Sequence, residues 1–135
     1  MYKRQVFIAG GIGITPVRSI VKYATEEKLP HKIVLIYSNL TPETSPFLNE
    51  LQELEKENKN FTLLATMTEA KSSRRTWSGL TGYIDANFLK TNIRELPGTI
   101  FYLVGPPGMV EAAAKALEEI GVSHDDIRFE EFTGY

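Results

Sequence analysis

The 135-residue sequence contains no cysteine, which excludes disulfides, thiolate catalysis and cysteine-ligated zinc or iron-sulfur centres within the chain. Its two histidines, His31 and His124, lie far apart beside turn-forming residues, and nothing has metal-ligand spacing. Long apolar runs are lacking too. No stretch approaches the ~20 residues that span a bilayer, and glycines break up the N-terminal "MYKRQVFIAGG" where a signal peptide needs a continuous apolar segment. The cytoplasm is therefore the expected location. A formal net charge of -2 lacks the basic excess of a nucleic-acid binder. No repeat or low-complexity tract interrupts the chain, and its length suits a single domain over residues 1–135.

Short β-branched and aromatic runs alternate with longer amphipathic stretches, the pattern of the α/β class. Strands are expected at residues 5–9, 32–38, 61–67, 99–104 and 127–129. After the first strand, Thr15 is placed to cap a helix with Pro16 at its first position, and Val17, Ile20, Val21 and Ala24 recur at helical spacing to residue 28. A second helix over 44–58 carries Phe47, Leu48, Leu51 and Leu54 on one stripe. Then comes the long polar loop "TEAKSSRRTWSGLTGYID", ending in a short extended piece at Tyr83 and Ile84. A brief helix is expected over 86–91 and an alanine-rich one over 110–120. Right-handed crossovers then predict a doubly wound, five-stranded parallel sheet in the order 3-2-1-4-5 with helices on both faces.

That order has a topological switch between the first and fourth strands, where ligands bind beyond the strands' carboxyl ends. Two special loops converge there. "AGGIGITP" follows the first strand, and as a G-x-G-x-x-G fingerprint it fails at Pro16. Gly10, Gly11 and Gly13 still allow close backbone approach to an anion, and Thr15 adds a hydroxyl at a helix N-terminus. A ligand-free tight turn accounts for the same residues equally well. "GPPGM" follows the fourth strand: Pro106 and Pro107 stiffen it, Gly105 and Gly108 open its backbone, and Met109 offers an adaptable apolar side chain to a flat ring or to the core.

Other polar groups flank these loops. Tyr37, Ser38 and Asn39 end the second strand, where their hydroxyl and amide groups suit a ribose or a capped turn. Arg74 and Arg75 suit bidentate binding of a 2′-phosphate, or simple solvation. At the C-terminus, "IRFEEFTGY" holds Phe132 and Tyr135, costly to leave in water, which either pack on the core or stack over a planar ligand. Glu130 or Glu131 beside them is an orienting or proton-relay candidate.

Together "AGGIGITP", "YSN", "GPPGM" and "FEEF" resemble, in order and position, the pyridine-nucleotide-binding domain of the ferredoxin-NADP reductase family across essentially the whole chain. The resemblance implies a flavin-linked oxidoreductase in which NADH or NADPH passes hydride to FAD, and electrons continue to an iron-sulfur protein, a haem protein or a quinone. By motif, Gly10, Gly11, Gly13, Thr15 and Pro16 would serve the pyrophosphate and nicotinamide side. Tyr37, Ser38 and Asn39 would lie near the adenosine, and Gly105, Pro106, Pro107, Gly108 and Met109 near the nicotinamide. The catalytic group would be Thr15 at the nicotinamide end, Glu130 as the C-terminal acid and Phe132 as the flavin-stacking aromatic, with Tyr135 a further candidate.

Three departures qualify the match. Val104 stands where many members have cysteine. Met67 occupies the neighbourhood of the arginine found in NADPH-selective members, which favours NADH. No flavin-binding β-barrel or arginine-x-tyrosine-serine signature precedes "MYKRQ", so the FAD-binding domain is expected outside this chain, which alone would complete no turnover. A non-catalytic nucleotide-binding or protein-interaction module with the same fold is the alternative. A dehydrogenase acting directly on a carbinol is disfavoured, because no histidine lies near either loop.

Overall fold

A computed structural model describes residues 3–74, 76–93 and 96–131. Its first strand, β1 (Arg4–Gly10), sends Phe7 and Ala9 to one core cluster and Val6 and Ile8 to another, as a strand buried on both faces must. There follow α1 (Ile14–Glu26), β2 (Lys32–Asn39), α2 (Leu48–Glu57), β3 (Phe61–Met67), β4 (Leu80–Thr81), α3 (Ala86–Asn92), β5 (Thr99–Gly105), α4 (Pro107–Glu119) and β6 (Ile127–Glu131). Every strand pair is parallel, in the order β4-β3-β2-β1-β5-β6. Val17, Val21 and Ala24 of α1 join Leu48, Leu51 and Leu54 of α2 in the first cluster. On the opposite face, Phe88 and Leu89 of α3 meet Val110, Ala113 and Leu117 of α4.

The sheet has six strands, which corrects the five-stranded order 3-2-1-4-5. The added strand, β4, pairs Leu80 with Thr66 and Thr81 with Met67 at the edge beside β3. It lies just before Tyr83 and Ile84, where the extended piece was expected. Two residues carry no readable alternation, and the strand is held by contacts distant in sequence: Gly82 N–H donates to the Met67 carbonyl at 3.1 Å, and Thr66 Oγ1 to the Gly82 carbonyl at 2.8 Å. Trp77 Nε1 closes the loop onto the Leu80 carbonyl at 2.7 Å.

Both early helices differ from expectation at their ends. Helix α1 begins at Ile14 with Gly13 as its N-cap and no side-chain cap, so Thr15 and Pro16 are its second and third residues. A 3-10 turn over Gly11–Gly13 feeds straight into the helix, and proline fits there because the first four helical amides have no intrahelical partner. The helix ends at Glu26, not residue 28, since Lys28 has φ +53° and Leu29 N–H returns to the Ala24 carbonyl. Helix α2 begins only at Leu48. Phe47 is left-handed (φ 61°) and 40% exposed, outside the buried stripe, with the Arg18 guanidinium 5.1 Å above its ring. Arg18 also grips Glu50 through two hydrogen bonds of 3.0 and 2.7 Å, clasping α1 to α2. That pairing holds the Glu50 carboxyl below its ordinary range.

Candidate functional site

The two glycine loops meet as a backbone contact. A Cβ built on Gly10 would collide with Met109 Sδ, and one on Gly105 would lie 2.9 Å from Met109 Cε and 3.2 Å from the Gly10 carbonyl oxygen. Gly13 is hemmed in by backbone: its Cβ would stand 2.7 Å from the Val104 carbonyl oxygen. These glycines let β1, β5 and the start of α4 close on one another at the carboxyl edge of the sheet.

A cleft of about 470 Å³ opens over that contact, within the roughly 300–1,000 Å³ typical of small-ligand sites. Gly10 and Gly11 form its floor, and Pro106, Gly108, Met109 and Ala112 line the α4 side. Ser38, Asn39 and Leu40 line the β2 side, with Thr68, Tyr83 and Ile84 beyond them. Pro107 opens α4 at its first position, and the N-cap Pro106 has no side chain to cap with. The amides of Gly108 and Met109 therefore lack intrahelical partners at the positive end of a helix beside the cleft. Gly11, at φ 57°, adds a turn that L side chains rarely adopt.

The β2 side is knitted by hydrogen bonds. Thr68 and Glu69 N–H groups donate to the Asn39 and Leu40 carbonyls, each at 2.9 Å. The Glu43 carboxylate takes the Ser73 hydroxyl at 2.9 Å and the Arg74 amide at 3.3 Å, tying the long loop to the turn after β2. Desolvation pushes the Glu43 carboxyl up, but these bonds and Thr41 outweigh it and hold the group below its ordinary value. Leu40 and Tyr83 are 52% and 76% exposed, two large apolar side chains on one cleft. Among the described residues, none lining the cleft carries a charge.

Of the residues singled out by motif, Gly10, Gly11, Ser38, Asn39, Pro106, Gly108 and Met109 line the cleft. Gly13 and Gly105 shape it from behind through the contacts above. Tyr37 does not face it. The tyrosine is wholly buried, because its register with Ala9 puts it on the sheet face covered by α1 and α2, and its hydroxyl donates to the Pro46 carbonyl at 2.9 Å. Burial pushes that hydroxyl up to about 12, against a smaller lowering by the hydrogen bond from Asn39. Met67 is likewise core, its sulfur 3.7 Å from Ser45 Oγ, and the next residue, Thr68, is the one at the cleft.

Thr15 and Pro16 are exposed on α1, on the opposite sheet face from α4, and are not among the lining residues; nor is Pro107. Glu130 is exposed on β6, paired in register with Val104. Phe132, Tyr135 and Arg75 lie outside the described residues. Sequence reasoning missed Leu40, Thr68, Tyr83, Ile84 and Ala112. The position of Thr68 just past a strand end was the one available signal; nothing local marks the others. No group of three or more potential metal ligands occurs among the described residues. No helix among them is long and apolar enough to cross a membrane.

The sequence profile of the oxidoreductase NAD-binding domain matches residues 7–115. Among curated relatives, the Na(+)-translocating NADH-quinone reductase of Serratia proteamaculans has a subunit 31% identical over 96% of this chain. The corresponding protein of Actinobacillus succinogenes is 33% identical over 96%. The chain spans about a third of the length of these relatives, 33% and 32% respectively. Flavohemoglobin from Malassezia yamatoensis, solved with FAD and heme, superposes with TM-score 0.82 at 27% identity, covering 97% of this chain and 32% of that one. The cytochrome b5 reductase domain of Ulva prolifera nitrate reductase gives 0.81 at 28%, covering 96% of this chain and 50% of that domain. The cleft, the two glycine loops and the matched profile agree: the chain belongs to the oxidoreductase NAD-binding domain family, the pyridine-nucleotide module of ferredoxin-NADP reductase-like proteins.

Proposed function

We propose that this chain binds NADH in the cleft between α4 and the turn after β2, and presents its nicotinamide to FAD held on another domain. The observation that carries this reading is the Gly10–Met109–Gly105 contact, where two loops approach closely enough to form an uncharged floor under a planar ligand. The free amides of Gly108 and Met109 suit the pyrophosphate. Leu40 and Tyr83, exposed in the cleft, suit apolar and stacking contact with the adenine. When bound, the dihydronicotinamide supplies a hydride to the flavin; the chain's own part is to hold the ring at transfer distance and exclude water. Thr15 at the nicotinamide end, with Glu130, Phe132 and Tyr135 at the flavin, is the proposed catalytic group.

NADH is favoured over NADPH on charge. A 2′-phosphate dianion calls for a bidentate cation, whereas none of the described residues lining the cleft is charged. The same reading puts the domain in the cytoplasm with its nucleotide, and leaves the electron acceptor to the other domains, since the relatives named above serve different ones. Saturation-transfer NMR with NADH and NADPH tests it. Contact from NADH, with NADPH weaker, is expected; contact from neither at millimolar concentration, with the fold intact, refutes it.

A further inference from the structure

We propose that Tyr37 is a positioning residue for the adenosine half of the nucleotide, acting from inside the core through Asn39. The inference rests on the nucleotide reading above. A phenylalanine would fill the same apolar site, so the work of the tyrosine lies in its hydroxyl. That hydroxyl is satisfied by the last residue of β2 and the segment that follows it: it donates to the Pro46 carbonyl at 2.9 Å and accepts from Asn39 Nδ2 at 3.3 Å. Asn39 Nδ2 also reaches the Thr44 carbonyl at 3.3 Å, while its Oδ1 accepts the Leu40 amide at 3.2 Å.

The buried phenol thereby joins the Thr44 carbonyl and the Leu40 amide in setting the direction of the Asn39 amide, and it ties the end of β2 to Pro46. Asn39 and Leu40, the residues so held, form the β2 wall of the cleft together with Ser38. The backbone of Ser38 and Asn39 is fixed by pairing with β1 and β3, and the Leu40 carbonyl by the Glu69 amide, so what these side-chain bonds decide is the direction of the Asn39 amide. Losing the hydroxyl removes one of the three bonds that orient the amide, leaving those to the Thr44 carbonyl and the Leu40 amide, and spreads its direction over several geometries. Apparent affinity falls by the fraction of molecules left in the competent one.

The test is Tyr37→Phe, with NADH and with ADP-ribose, which carries the adenosine and pyrophosphate but no nicotinamide, each titrated against the chain by NMR. Both ligands are expected to weaken equally, by roughly 5- to 10-fold, the scale of one lost hydrogen bond. Asn39→Ala should weaken both as well, and the double variant should lose no more than Asn39→Ala alone, because one residue acts through the other. Unchanged affinity in Tyr37→Phe, a loss for NADH without one for ADP-ribose, or losses that multiply in the double variant would each overturn the proposal. If Tyr37→Phe does not fold, Asn39→Ala carries the test: unchanged ADP-ribose binding refutes the coupling. Wild-type protein that binds neither ligand overturns the functional reading itself, whereas wild-type binding with unaffected variants overturns this inference alone.

Discussion

The two walls of the cleft are built by opposite means. On the β1/β5 side the wall exists because side chains are absent: Gly10, Gly13 and Gly105 allow backbone and Met109 to approach within contacts a Cβ would fill. On the β2/β3 side it exists because polar groups are present, and Thr66, Asn39, Glu43 and Tyr37 hold two loops together by hydrogen bonds. The first wall is rigid for steric reasons, and altering it should cost stability or close the site. The second depends on bonds individually worth about 1 kcal/mol, and altering it should loosen the site while leaving the fold standing.

Gly13→Ala should have the largest effect. Its Cβ would meet the Val104 carbonyl, backbone that cannot swing aside, and the expected loss is roughly 3 kcal/mol of unfolding free energy, at the upper end of overpacking costs, read from urea melts. A loss below about 1 kcal/mol would mean the turn before α1 or β5 yields, and the steric account of this wall would fail.

Gly10→Ala presses on the end of a flexible methionine instead. Stability should hold within about 1 kcal/mol, while the displaced Met109 enters the cleft and NADH binds roughly tenfold more weakly. Adding Met109→Ala should recover most of that affinity, measured by the same titration. Failure to recover it would place the fault in the backbone, making the two glycines alike.

Thr66→Val on the opposite wall should be the mildest, costing about 1 kcal/mol by removing the donor to the Gly82 carbonyl. Hydrogen exchange at the Gly82 amide, bonded to the Met67 carbonyl, should quicken locally, with the strands of the core unaffected. Global acceleration would show that the polar wall is as integral as the glycine one.

The same contrast explains what could be read in advance. Gly10, Gly11, Gly108 and Met109 were legible because glycine and proline report a backbone requirement at their own position. Tyr37 was grouped with Ser38 and Asn39 near the adenosine because a tyrosine at a strand end suits either face; its pairing opposite Ala9 puts it on the face covered by α1 and α2. Met67 follows the same face, leaving Thr68 at the cleft. Tyr83 and Leu40, the most exposed apolar side chains there, lie in segments without periodicity, so no local pattern marked them.

By itself the amino-acid order determined the α/β class, the five long strands, the helices near their places and the convergence of two glycine loops on one sheet edge. Those features follow from apolar period and from glycine and proline, constraints each residue carries locally. Only the tertiary structure decided that β4 exists, that Phe47 and Tyr37 exchange their expected environments, and that Leu40 and Tyr83 share a cleft. Each of these depends on hydrogen bonds or packing between residues remote in the chain, whose partners are chosen when the sheet assembles.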